Sequence, residues 1–84
     1  MKNRALSIQP VGSELLILDQ HAGLIHQLNE TAALIWRKKE AGHSAEEVAR
    51  FMAEHYEVGE AAAMREVVET LMKLQALNLV SPGE

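Results

Sequence analysis

Leu24-Ile25-His26-Gln27-Leu28-Asn29, followed at once by Glu30-Thr31-Ala32-Ala33-Leu34-Ile35-Trp36, is the stretch on which the fold turns. Leu24, His26 and Leu28 fall on one face of an extended chain, and Ile25 and Gln27 fall on the other. At Asn29 the apolar period changes from that of a strand to that of a helix. Asn29 is a good N-cap, because its side-chain oxygen can accept from the free backbone N–H groups of a first helical turn. A strand therefore enters a helix across one residue.

Toward the N-terminus the chain reads as further extended segments. Leu6 and Ile8 alternate with Ser7 and Gln9, and Pro10 ends that run or places it at a sheet edge. Gly12-Ser13 is a turn signal. Leu15-Leu16-Ile17-Leu18 is a short apolar strand, closed by Asp19, and residues 19–23 turn the chain into Leu24–Leu28. Residues 5–29 thus form an antiparallel meander, which is stable only if one face is covered.

The remainder supplies three helices over residues 30–80. The first runs from Glu30 to about Glu40 and ends at Ala41-Gly42, a C′ glycine signal. The second opens with Ser44 and Glu47 in capping-box spacing, and Val48, Phe51, Met52, His55 and Tyr56 share a side. The third begins near Gly59-Glu60 and repeats Met64, Val67, Val68, Leu71 and Leu74 at spacings of three and four. Asn78 suits a left-handed C′ position, with Leu79 folding back toward Leu74. Strands and helices in separate blocks predict an α+β domain, a three-stranded antiparallel sheet followed by three helices.

The 84 residues suffice for one domain, residues 1–84, with a thin core. Cysteine is absent, which removes disulfides and thiolate metal sites. The apolar fraction of 48% and charged fraction of 24% are those of a folded soluble chain. No apolar run reaches the roughly 18 residues that span a bilayer. Met1-Lys2-Asn3-Arg4 is followed by no uninterrupted apolar segment, so a signal peptide is not expected and the default address is the cytoplasm. A net charge of −4 disfavours nucleic acid or an anionic membrane as partner.

Little in the chain suggests catalysis. His55 lies within the apolar arc of the second helix and reads as a hydrogen-bonded core histidine, whereas His21 and His43 fall in turns and read as solvated. None pairs with a second ligand at the spacing of a helical zinc site, so neither metal nor cofactor is expected. Glu46-Glu47 belongs to a first helical turn, where acidic side chains suit the helix dipole, and Arg37-Lys38-Lys39 suits a helix C-terminus for the same reason. Glu66 and Glu69 read as a solvated face, and Trp36 as a core anchor between the first helix and the sheet. No nucleophile elbow or glycine-rich phosphate loop occurs. A binder is expected, not an enzyme.

The third helix points to what is bound. Its apolar arc is wide enough for Val68 and Met72, bordered by Arg65, to extend beyond the core. If the third strand is an edge strand, its free N–H and C=O groups form a template for an incoming peptide. Each added main-chain hydrogen bond contributes about 0.5–1.5 kcal/mol net. Four or five, with one or two apolar anchors, outweigh the ordering cost.

Gly23-Leu24-Ile25-His26-Gln27-Leu28-Asn29-Glu30-Thr31-Ala32-Ala33-Leu34-Ile35-Trp36, a capped second helix, and a third helix running into Leu77-Asn78-Leu79-Val80 together resemble the PqqD-like family over about residues 5 to 80. The resemblance implies a RiPP recognition element. This is a winged-helix-like domain that captures the leader of a ribosomally made precursor peptide and presents it to a modifying enzyme such as a radical SAM protein, a cyclase or a leader peptidase. It implies that the leader adds antiparallel to Leu24, Ile25, His26, Gln27 and Leu28. The helical wall would be Arg65, Val68 and Met72, with Leu71 behind. Two positions depart from the family pattern: Lys38-Lys39 stand where relatives often carry apolar residues, and Asn78 replaces a common glycine. The rival readings are a winged-helix nucleic-acid binder and a homodimerisation module using the same edge.

Overall fold

The two residues Gly12 and Ser13 set the phase of the sheet. A computed structural model describes residues 6–80. In it, strands β1 (Leu6–Val11), β2 (Glu14–Asp19) and β3 (Leu24–Leu28) form one antiparallel sheet in the order β1-β2-β3, and helices α1 (Glu30–Glu40), α2 (Ala45–Tyr56) and α3 (Glu60–Ala76) follow. The expected fold class and element order are present. Two compact units divide the chain between Ala33 and Leu34.

In the first unit, Gly12 has φ +64° while Ser13 keeps a negative φ, the signs of a type II′ turn. A two-residue loop of this kind closes on a hydrogen-bonded pair, here Val11 and Glu14. Hydrogen-bonded and non-hydrogen-bonded pairs then alternate along the strands. Glu14, Leu16 and Leu18 direct their backbone groups to β1, so Leu15, Ile17 and Asp19 direct theirs to Leu28, His26 and Leu24 of β3. Side chains follow the same alternation. Leu15, Ile17 and Leu28 are buried, whereas Leu18, Ile25 and Gln27 on the opposite face are exposed.

The second turn is held by the Gly23 N–H donating to the Asp19 carbonyl at 2.8 Å and the Ala22 N–H donating to Asp19 Oδ1 at 3.1 Å. Gly23 takes φ +72° there, a conformation that a side chain would strain. At the strand-to-helix joint Asn29 Oδ1 accepts from the Ala32 N–H at 2.9 Å, the cap expected from the sequence. Strand β1 continues through Pro10 to Val11, so Pro10 marks an edge, not an end.

In the second unit, α1 terminates in a Schellman arrangement. His43 N–H donates to the Lys38 carbonyl and Gly42 N–H to the Lys39 carbonyl, with Gly42 at φ +101°. Helix α3 ends the same way at Asn78, whose φ is +61°, and the Leu79 N–H reaches the Leu74 carbonyl at 2.9 Å. Helices α2 and α3 pack on each other. Val48, Ala49 and Met52 are buried from α2, and Ala63, Val67, Thr70, Leu71 and Leu74 from α3. Trp36 Nε1–H donates to the buried Leu79 carbonyl at 3.0 Å and so ties α1 to the segment after α3.

His55 departs from expectation. It is exposed, not in the core: its ring stacks on Phe51 with centroids 5.4 Å apart and meets the edge of Tyr56 at 4.7 Å. Lys38 places its ammonium 4.0 Å from the Phe51 ring centroid. Lys38 thus sets its charged head over the face of an aromatic ring, a cation–π contact.

The α2 cap has a pH signature. Ser44 Oγ accepts from the Glu47 N–H at 3.1 Å, and Glu47 Oε1 accepts from the Ser44 N–H at 2.9 Å. That backbone donor, and then the His43 side chain, hold the Glu47 carboxyl below its ordinary value of 4.5. The unfolded chain therefore binds this proton more readily than the folded one. The cap's contribution is complete above the unfolded value and is lost as pH falls through the lower folded value. Urea unfolding is expected to show Ser44→Ala losing about 0.5–2 kcal/mol at neutral pH. Glu47→Gln should flatten the decline on the acid side of 4.5, and an unchanged acid limb would remove the capping carboxylate from the account.

Candidate functional site

Strand β3 lies at one margin of the sheet: β2 pairs one side of it, and among the described residues no strand pairs the other. The phase set at Gly12-Ser13 settles which groups look outward. Leu24, His26 and Leu28 spend their amides and carbonyls on β2, so the N–H and C=O groups of Ile25 and Gln27 point away from the sheet. These two residues offer an incoming chain a short ladder of donors and acceptors.

The side chains of β3 divide in two ways. Leu28 is buried and His26 half-buried, its Nε2 enclosed with no partner among the described residues. Leu24 is exposed although it shares their face, because it stands at the end of the strand. Ile25 is 69% exposed on the opposite face. Beside it, Gln27 donates from Nε2 to Glu14 Oε1 at 2.8 Å.

On α3 the residues expected to form a wall are Arg65, Val68 and Met72, spaced i, i+3 and i+7 and therefore in line along one side of the helix. All three are exposed, Met72 at 64%, while Leu71 is buried in the neighbouring stripe. The sequence-based candidates thus form two groups, one in each compact unit: a strand with outward amides and an exposed apolar helix line next to a cation.

A shallow depression of about 300 Å³ opens elsewhere in the second unit, lined by Lys38, His43, Glu47, Arg50, Phe51 and Glu54. Sequence reading did not pick it out, since Lys38 and Phe51 meet only through tertiary packing. Within it His43 Nδ1 lies 3.4 Å from Glu47 Oε1, and Lys38 sits over Phe51. Among the described residues no three His, Asp or Glu side chains are grouped to hold a metal ion, and no helix is long and apolar enough to cross a membrane.

Comparison with known proteins identifies relatives of the chain. A family model described as coenzyme PQQ synthesis protein D (PqqD) matches residues 14–80. Among solved structures, TbiB1 in complex with the TbiA(beta) leader peptide superposes with a TM-score of 0.86, covering 100% of this chain and 99% of that one at 22% identity. At that identity the likeness concerns the fold alone. Lasso peptide synthetase B1 complexed with the leader peptide is 34% identical, with a TM-score of 0.78 and 84% of each chain covered. No curated protein matches the chain.

Proposed function

The chain belongs to the PqqD family, and on that premise we propose that it is a single peptide-binding domain that takes up the leader of a ribosomally made precursor by strand addition. The observation that carries this reading is the open margin of β3, with the backbone groups of Ile25 and Gln27 directed outward. Its support from relatives is that TbiB1 and lasso peptide synthetase B1 are both found with a leader peptide bound. The leader's main chain pairs with Ile25 and Gln27. Its apolar side chains rest on Val68 and Met72, and Arg65 takes an acidic group at the border. Leu24 and His26 belong to the same strand, and Leu28 and Leu71 are each buried within their own unit.

Main-chain pairing gives affinity with loose sequence demands, as suits a domain that holds a segment without processing it. Chemistry belongs to a partner enzyme, such as a radical SAM protein, a cyclase or a leader peptidase, to which the domain presents the peptide in the cytoplasm. The acidic balance of the chain disfavours nucleic acid.

The test begins with binders selected from a random displayed peptide library, followed by titration into isotopically labelled protein. Backbone amide shifts concentrated at Ile25 and Gln27, with side-chain shifts at Val68 and Met72, are expected. Binding that leaves those four positions unmoved overturns the proposal. Met72→Asp, at an exposed site, should leave stability within about 0.5 kcal/mol and weaken the selected peptides by about tenfold or more. Wild-type affinity in that variant would take α3 out of the site.

A further inference from the structure

Strand β3 leaves an apolar side chain uncovered at its open margin. Among the described residues Ile25 is the most exposed of the large apolar side chains. The register accounts for one side of it, where Leu18 of β2 stands opposite on the outer face. The backbone groups of Leu18 go to β1 and those of Ile25 go outward. The two therefore form a non-hydrogen-bonded pair, in which side chains approach most closely. One flank of Ile25 is thus backed by an apolar neighbour, and the other faces the margin. Two residues along, Gln27 has a different setting: its Nε2 donates to Glu14 Oε1 at 2.8 Å, which leaves the amide oxygen to accept.

An added strand extends this pattern by geometry alone. In an antiparallel pair, residues directly opposite each other carry their side chains on the same face, with Cβ atoms about 4.5–5.5 Å apart. The residue that exchanges hydrogen bonds with Ile25 therefore lies on the outer face, in one row with Leu18 and Ile25. The residue before it faces His26 on the opposite side of the sheet. The one before that returns to the outer face, beside Gln27 and within the field of the Glu14 carboxylate. Main-chain bonds alone do not choose among registers, because every residue of a peptide except proline offers the same N–H and C=O. Side chains on a face with a period of two do choose.

On the basis of strand addition at β3, as proposed above, we infer that Ile25 and Gln27 also select the leader through their side chains. Opposite Ile25 stands a β-branched or aromatic residue, which completes an apolar row across β2, β3 and the leader. Two positions earlier in the leader stands a hydrogen-bond donor, either basic or uncharged, and not an acid, since Glu14 is beside it. A slip of one residue turns the apolar side chain to the other face, and a slip of two sets it beside Gln27. The two positions together therefore fix the register. This contact is made at the margin and asks nothing of the rest of the outer face.

Peptides selected from a random displayed library on the wild type supply the probes. In labelled complexes the Hα–Hα contact of His26, a non-hydrogen-bonded position, marks the peptide residue between the two selected ones. A β-branched or aromatic residue is expected just after that mark, and a donor just before it. Exchanging the former for lysine should weaken wild-type binding by about fivefold. Ile25→Glu, at an exposed position where circular dichroism should not change, is expected to reverse the order, so that the lysine peptide binds more tightly than its parent. Aspartate just before the mark should cost a similar factor, and Glu14→Gln should relieve it. Selected peptides without a preference at the two positions overturn the inference, as does an order that Ile25→Glu leaves as it was. Amide shifts at Ile25 and Gln27 then keep strand addition standing. If those shifts are absent, strand addition itself has failed, and the side-chain selection falls with it.

Discussion

Trp36→Ala is expected to remove about 3–5 kcal/mol of stability, the range for truncating a buried tryptophan. A domain of 84 residues carries in total roughly 0.05–0.15 kcal/mol for each residue, so the loss takes about a quarter or more of what is available. The indole is 8% exposed and its Nε1–H donates to the Leu79 carbonyl 43 positions later in the chain. Leu79 and Val80 are buried beyond the end of α3, and the left-handed Asn78 turns them inward. Truncation therefore empties a core site and releases the segment that follows the last helix. Trp36→Phe retains most of the apolar contact and loses the donor, for which about 1–2 kcal/mol is expected. Because Trp36 is the only tryptophan, unfolding in urea has to be followed by circular dichroism. A phenylalanine variant as stable as wild type would deny the hydrogen bond any part in fastening the C-terminal segment.

The second large effect concerns binding. Ile25→Pro is expected to weaken peptide affinity by about a hundredfold, which corresponds to ~2.7 kcal/mol. The substitution deletes an outward N–H and puts a pyrrolidine ring where the incoming strand would lie. It costs the fold about 1 kcal/mol or less, because this amide makes no ladder bond to β2 and the side chain is exposed. His26→Pro, one residue along, is the control. Its amide faces Ile17 across the ladder, so about 2–4 kcal/mol of stability should be lost instead. Should Ile25→Pro fold and bind selected peptides as the wild type does, strand addition at β3 would be abandoned while the fold assignment stood.

The elements that were legible in the sequence are those decided within a few residues. Asn29, the Ser44/Glu47 pair, Gly42 and Asn78 each act through hydrogen bonds to their own turn, so residue type and spacing suffice to place a helix end. Features that need a third dimension were not legible. Helical period grouped Val48, Phe51, Met52, His55 and Tyr56, but it does not say which flank of that arc faces inward. Ala49, small and inconspicuous, completes the buried stripe, and the three rings stack outside it. Lys38 looked like a complement to a helix dipole until its approach to Phe51 was visible. Of the candidate site, the alternation of β3 could be read directly. The direction of each amide could not, since that depends on the turn geometry at Gly12-Ser13, at the far end of the neighbouring strand.

Pro10 gives the sheet a polarity of assembly. Opposite Leu15 it occupies a non-hydrogen-bonded pair, so its imide nitrogen looks off the β1 side, where no proton is available to donate. Along the β1 margin the missing donor falls at the penultimate residue of the strand, whereas β3 carries no proline. The two margins of the sheet therefore differ in the donors that they offer.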